Sequence, residues 1–173
     1  TEKLTSFADT KLPEGQQGYV NINNMQAAPD GTLYLLEYIY TYTVNVPEGV
    51  EVEEYSDEYW QYYEGKDTYY LRHIAADGTD LGSVALSELS NGDEYLYFYN
   101  MQIDGQGNIY LPSDQSVFVI GSEGELLCRI DSTNWIQGIA VLADGSAACL
   151  YYGDNGLTCS KIDLEKKGFG EEI

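Results

Sequence analysis

The feature that most constrains the fold is a phrase that recurs along the chain. "NMQAAPDGTLYLL" occupies residues 24–36, "NMQIDGQGNIYL" occupies residues 100–111, and a weaker copy, "IQGIAVLADGSAACL", occupies residues 136–150. The turn glycines Gly31, Gly107 and Gly145 are therefore two periods and one period of 38 residues apart. A period near 40 residues is typical of repeat proteins, in which each unit buries its apolar faces against its neighbours.

The pattern inside each repeat predicts β-strands. From Leu33 to Val44, every second residue is aromatic or aliphatic, and most of the residues between them are aliphatic or threonine. This period of two, in a segment rich in residues that favour strands, predicts a β-strand. The turn pairs tolerate positive φ and predict tight hairpins; they are Asp30-Gly31, Asp77-Gly78, Asp144-Gly145 and Asn155-Gly156. No segment has a convincing amphipathic helix pattern. The sequence therefore predicts an all-β chain with two hairpins per repeat.

Apolar residues on both strand faces favour four-stranded antiparallel blades of the β-propeller type over a two-layer β-sandwich, which is the alternative. We expect a single propeller segment: an orphan outer strand and lead-in at 4–23, blade one at 24–90 with an insertion at 44–70, blade two at 91–131 and blade three at 132–173. About three blades and the orphan strand at residues 4–7 form only an open or partial ring. The expectation is thus a chain that lacks C-terminal blades, or a half-ring that pairs as a homodimer.

Three segments carry a family resemblance. "QAAPDGTLYLL", "QIDGQGNIYL" and "IAVLADGSAACL" resemble the inner hairpin of bacterial β-propeller repeats of the NHL or YVTN kind. The resemblance covers almost the whole chain and implies a fold, not a function. The run from Thr1 onward is also similar to the propeller that precedes a solute-binding domain in some exported lipoproteins of Gram-positive bacteria. That similarity implies capture of small molecules or peptides outside the cell.

The charge of the chain excludes two classes of partner. There are 8 Lys and Arg residues against 29 Asp and Glu residues, for a formal net charge of −21. A surface so negative repels nucleic acids and anionic lipid headgroups. No apolar run of membrane-spanning length occurs, and no charged-then-apolar leader precedes Thr1. We expect an exported protein, extracellular or on the cell surface, whose signal segment has been removed.

The insertion at residues 44–70 is the strongest candidate for a ligand site. This segment is rich in tyrosine and tryptophan interspersed with acidic residues, and exposed Tyr and Trp rings are suited to stacking on sugars or cations. The predicted ligand-binding residues are Tyr55, Tyr59, Trp60, Tyr62 and Tyr63. The alternative is a long hairpin whose aromatics pack on their own blade. The functional prediction is a non-enzymatic binding or interaction module for a small molecule, glycan, peptide or protein. Two alternatives are a structural scaffold or oligomerisation segment and a glycan-active hydrolase or lyase.

The sequence gives only weak signals for catalytic or metal-binding residues. His73 is the only histidine, and no G-x-S-x-G elbow accompanies any serine. We therefore predict no catalytic residues and no cofactor. Calcium is the metal best matched to "DGQGN" at residues 104–108, although this segment lacks the ligand spacing of an EF-hand and is also an ordinary turn sequence.

The three cysteines leave the disulfide state open. Cys149 and Cys159 flank a turn, and a three-residue loop at 153–155 would place them opposite each other, close enough for a disulfide. A two-residue loop at 154–155 would shift them out of register. Buried free thiols, including Cys128, are the alternative.

Overall fold

The computed structural model describes residues 12, 14–89, 96–153 and 156–173. The strand expected at residues 4–7 lies outside this range. In the described part, twelve strands form three four-stranded antiparallel sheets, which confirms the all-β prediction. The strands are β1 Gln17–Ala27, β2 Leu33–Val44, β3 Tyr63–Ile74, β4 Asp80–Ala85, β5 Gln102–Ile103, β6 Ile109–Pro112, β7 Ser116–Ile120, β8 Leu126–Asp131, β9 Ile136–Val141, β10 Ala147–Gly153, β11 Gly156–Asp163 and β12 Gly168–Glu172.

Each sheet is a simple meander, in which strands consecutive in sequence are hydrogen-bonded neighbours. Sheet 1 contains β1–β4, sheet 2 contains β5–β8 and sheet 3 contains β9–β12. Sheet 1 begins at Gln17, inside the predicted lead-in, because β1 pairs with β2 from Ala27↔Leu33 to Gln17↔Tyr42. The described helices are two short 3-10 turns, at Tyr59–Gln61 and Leu86–Leu89. Neither is long and apolar enough to cross a membrane.

Five hairpin turns share one geometry. In the first, the amide of Ala28 donates to the carbonyl of Thr32 at 2.8 Å, and the amide of Gly31 donates to the carbonyl of Ala28 at 3.0 Å. The same pair of hydrogen bonds recurs at the turns beginning at residues 75, 104, 121 and 142. Only the glycine has positive φ, for example +88° at Gly31. This is a three-residue loop with a glycine bulge rather than a two-residue loop that needs positive φ twice.

The sheets stack face to face, with a hydrophobic core between each adjacent pair. The first core joins sheets 1 and 2, and Leu36, Phe98, Phe118 and Met101 are fully buried in it. The second core joins sheets 2 and 3 through side chains such as Val117 on sheet 2. Sheet 2 is therefore covered on both faces, which is why all five residues of β7 are buried. Burying apolar surface on both faces is the main source of stability for such a stack.

The repeated asparagine explains part of the recurring phrase. Asn24 on sheet 1 donates from Nδ2 to Oδ1 of Asn100, its counterpart in the next repeat, at 3.0 Å. Asn100 Oδ1 also accepts the backbone amide of Met101 at 2.7 Å. The two copies of the phrase thus contact each other at the point where sheet 1 meets sheet 2.

The cysteine register resolves the open disulfide question. Gly153 pairs with Gly156, so Cys149 pairs with Ser160 and Cys159 pairs with Leu150. The two cysteines are one position out of register and point to opposite faces of sheet 3. All three cysteines are free thiols, and the three-residue loop alternative is wrong.

Candidate functional site

The candidate site lies on a long hairpin that extends past its neighbouring sheet. Strands β2 and β3 have 12 residues each and pair without interruption from Leu33↔Ile74 to Val44↔Tyr63. The central strands of sheet 2 have only 4 and 5 residues. The hairpin therefore extends roughly 25 Å further than its neighbour, at about 3.3 Å per residue. Residues 63–70, predicted to be part of an insertion, are strand, and only residues 45–62 connect β2 to β3.

Beyond sheet 2, the aromatic residues of this hairpin pack on one another. We call Tyr40, Tyr42, Tyr55, Tyr59, Trp60 and Tyr63 the aromatic cluster. Tyr42 and Tyr63 stack with their ring centroids 5.1 Å apart. Trp60 meets Tyr63 edge to face at 5.1 Å and Tyr59 edge to face at 5.4 Å. Edge-to-face and offset contacts are the favourable arrangements for aromatic rings, so the cluster supports its own shape.

A hydrogen bond holds the inner end of the cluster. The Tyr40 and Tyr63 hydroxyls are 2.6 Å apart, and this hydrogen bond raises the pKa of Tyr63 to about 12. The absence of a side chain at Gly65 leaves room for the Tyr40 ring, because a Cβ at residue 65 would clash with the Tyr40 hydroxyl. The ring contacts continue from Tyr40 to Tyr19 on β1 and from Tyr19 to Tyr38. Tyr38 contacts Tyr69, which packs edge to face on the buried Phe98 at 5.4 Å. The cluster is thus joined to the core by a continuous series of rings.

The loop backbone places two rings in solvent. The Ser56 hydroxyl accepts the amide of Tyr59 at 3.2 Å, at the start of the 3-10 turn Tyr59–Gln61. Tyr55 has φ of +67°, in the left-handed region that is uncommon for an aromatic residue. Tyr55 is 69% exposed and Trp60 is 49% exposed, whereas Tyr59 and Tyr63 are half-buried. Rings held rigidly and left exposed are suited to binding.

The charged residues of the loop that carries most of the cluster are all acidic. Residues 45–64 contain seven acidic residues and no Lys or Arg. The negative charge of Glu54 is the main cause that raises the pKa of the Tyr55 hydroxyl. A ligand at this surface meets a strongly negative field, which favours cationic or neutral groups over anions.

A groove runs beside the stacked pair Tyr42 and Tyr63. It has a volume of about 650 Å³ and is also lined by Thr41, Glu64 and Lys66. This volume lies in the range of small-molecule sites. A second open cleft, of about 720 Å³, lies between sheets 2 and 3. Two lysines that line this cleft, Lys161 and Lys166, form ion pairs with Asp144 and Asp163, respectively. The cleft is remote in sequence from the aromatic cluster.

The residues considered for catalysis and for calcium binding have contacts typical of structural roles. His73 is 2.8 Å from the Thr32 hydroxyl through Nε2, and its ring stacks on Tyr34 with the centroids 4.2 Å apart. Asp104 accepts hydrogen bonds from the amides of Gln106 and Asn108 and from the Tyr110 hydroxyl, so it organises the 104–108 turn. Among the described residues, no group of three or more His, Cys, Asp or Glu side chains is arranged to hold a metal ion.

The predicted site and the observed cluster overlap in part. The structure brings together Tyr55, Tyr59, Trp60 and Tyr63, but Tyr62 has no ring contact with them. Tyr62 instead closes the loop through its backbone, which accepts the amide of Asn45 at 2.9 Å. Sequence reasoning missed Tyr40 and Tyr42. The sequence does contain a signal for them, because Tyr40 and Tyr42 alternate with Tyr38 along β2 and so share one face of the strand. An antiparallel partner strand that begins at Tyr63 places the Tyr63 ring on that same face of the sheet.

Comparison with known proteins adds little about function. No protein-family model matches the chain, and no curated protein sequence matches it. Among solved structures, the chain is similar to a protein of unknown function from Bacteroides caccae, with 15% identity and a TM-score of 0.45 over 94% of this chain. The chain spans about three fifths of the length of that protein, or 62%.

Proposed function

We propose that this chain is a non-enzymatic binding module of an exported protein, and that the aromatic cluster holds its ligand. The observation that supports this most strongly is the pair of exposed rings, Tyr55 and Trp60, in an acidic loop. Trp60 packs edge to face on Tyr59, and Tyr55 lies tilted against Trp60 with the centroids 6.1 Å apart. Such a surface stacks on the apolar face of a neutral sugar or on a cationic group such as a lysine side chain of a peptide. The groove beside Tyr42 and Tyr63 extends the surface that a ligand contacts.

The proposed arrangement of the three sheets is that of propeller blades. The support for it is the 38-residue repeat, the four-stranded meander of each unit and the stacking of consecutive sheets, with sheet 2 between sheets 1 and 3. In this arrangement the blades act as a rigid support, and the long hairpin presents the binding surface.

The non-enzymatic part of the proposal is supported by the state of the candidate nucleophiles. Burial raises the pKa of the Cys149 thiol to about 12 and also raises the pKa of the Cys128 thiol. A thiol with a raised pKa is a poor nucleophile at neutral pH. The only histidine is engaged with Thr32 and Tyr34.

Isothermal titration tests the proposal with two probes, a lysine-rich peptide and a panel of neutral oligosaccharides. We expect one of them to bind and Trp60→Ala to weaken its Kd roughly five- to thirtyfold, because one stacked ring contributes about 1–2 kcal/mol. Trp135→Ala is the matched control, since Trp135 is 56% exposed but lies outside the cluster. Salt weakens the binding of the peptide but not that of a sugar. Absence of binding by both probes, or equal losses in the two variants, refutes the proposal.

A further inference from the structure

The rings of the loop between β2 and β3 contact one another so closely that a flat group cannot enter between them. The centroids of Tyr55 and Trp60 are 6.1 Å apart and their planes are tilted by 49°. Trp60 meets Tyr59 edge to face at 5.4 Å. A flat group held between two ring faces needs parallel rings about 7 Å apart, which is twice the contact distance of carbon atoms. A ligand therefore lies on the outer face of one ring and is not enclosed in an aromatic cage.

Carboxylates dominate the exposed polar surface around these rings. All seven acidic residues of segment 45–64 are exposed; they are Glu48, Glu51, Glu53, Glu54, Asp57, Glu58 and Glu64. None of the ion pairs among the described residues includes one of them. A neutral ligand that covered these carboxylates would take charge out of water without compensating it, which costs free energy. Because an ionised carboxylate only accepts hydrogen bonds, the surface matches a ligand that is positively charged and donates them.

Arginine is the side chain that combines these properties with a flat face. Its guanidinium is planar, always charged and donor-only, so it stacks on one ring while its N–H groups donate to carboxylates. A lysine ammonium is a strongly hydrated point charge and has no flat face. The chain contains one contact of this kind: Cζ of Arg129 lies 5.1 Å from the centroid of the Phe118 ring, and Arg129 Nε donates to Asp131 at 2.6 Å.

We propose that the partner of this loop is a basic protein segment, in which an arginine side chain stacks on the outer face of Trp60 and donates to the neighbouring carboxylates. This inference rests on the proposed function and names its ligand class. The net charge of −21 attracts any cationic chain, and salt screens that attraction. The ring adds a contact that only a planar cation uses fully, so selection of arginine over lysine comes from Trp60.

Titration calorimetry with two matched peptides tests the proposal. Arginine alternates with serine in the first peptide, and lysine replaces arginine in the second. We expect the native chain to bind the arginine peptide about three- to fivefold more tightly, which is the effect of one exposed cation–π contact. Trp60→Ala is expected to abolish this preference and Trp60→Phe to retain part of it, because a phenyl ring still offers a flat face. Trp135→Ala is the control and is expected to leave the preference unchanged.

A second pair of variants tests the part of the acidic residues. Glu53→Gln/Glu58→Gln removes two exposed carboxylates of the loop and is expected to weaken the binding of both peptides. Glu171→Gln/Glu172→Gln removes the same charge from exposed positions on β12 and is the control, with a smaller expected effect. Equal effects of the two double variants overturn the proposal, since binding would then depend on net charge and not on this loop.

The remaining outcomes separate this inference from the proposed function. Equal affinities of the native chain for the two peptides, or a preference that survives Trp60→Ala, overturn the stacked arginine. Binding of a neutral oligosaccharide without binding of the arginine peptide also overturns it, but leaves the proposed function standing with a glycan as the ligand. Absence of binding by both peptides and by the oligosaccharides refutes the proposed function as well.

Discussion

The two methionines of the repeated phrase allow a paired test of the stacked arrangement. Met25 and Met101 have the same neighbours in sequence, Asn before and Gln after, and equivalent places in their sheets. Met101 is fully buried between sheets 1 and 2, whereas Met25 lies on the face of sheet 1 that points away from sheet 2 and is 56% exposed. Met101→Ala is expected to lower the free energy of unfolding by about 2–5 kcal/mol, because it removes buried methylenes and leaves a cavity.

Met25→Ala is expected to cost much less. Complete burial of a methionine side chain is worth about 1.5–3 kcal/mol. With 56% of the residue exposed, less than half of that contribution remains, or about 1 kcal/mol, and an exposed site leaves no closed cavity. The two variants should therefore differ by at least about 1 kcal/mol.

Urea unfolding followed by circular dichroism measures both values, at a chain concentration low enough to keep the protein monomeric. A loss for Met25→Ala within about 0.5 kcal/mol of that for Met101→Ala would refute this reasoning, because it would mean that the Met25 side chain is as well covered as that of Met101. An unchanged m-value in both variants shows that the comparison concerns stability alone.

Two further predictions concern pH and thiol chemistry. Asp144 accepts hydrogen bonds from Lys161 and from Ser146, which lowers its folded pKa below the ordinary value of 3.8. The contribution of this carboxylate to stability is present above pH 3.8 and is lost as the pH falls toward the lower folded pKa. The difference in Tm between the native chain and Asp144→Asn is therefore expected to shrink below pH 3.8. A Tm difference that does not change with pH would contradict this prediction. Because Cys149 and Cys159 are out of register, they do not form a disulfide. When the chain is unfolded without reductant in the presence of a thiol reagent, mass spectrometry is expected to detect three labelled thiols. A single labelled thiol would mean that Cys149 and Cys159 are bonded and would disprove the register.

Much of the strand content and turn chemistry was readable from the sequence because both depend on local rules. A period of two along residues 33–44 and glycine at each turn are properties of neighbouring residues. The 38-residue spacing then predicted units of four strands. The turn type was not predicted, since Asp-Gly fits both a two-residue loop and the three-residue loop with a glycine bulge that the chain uses.

The sequence by itself determined that the chain forms repeated antiparallel hairpins with apolar side chains on both faces. Only the tertiary structure decided which side chains are covered: Met25 and Met101 occur in the same phrase, yet Met25 is exposed and Met101 is buried, because burial depends on what packs opposite each side chain. The same holds for the candidate site. Aromatic composition pointed to residues 55–63, but membership of Tyr40 and Tyr42 and the exclusion of Tyr62 follow from the pairing of β2 with β3, which brings residues distant in sequence into contact.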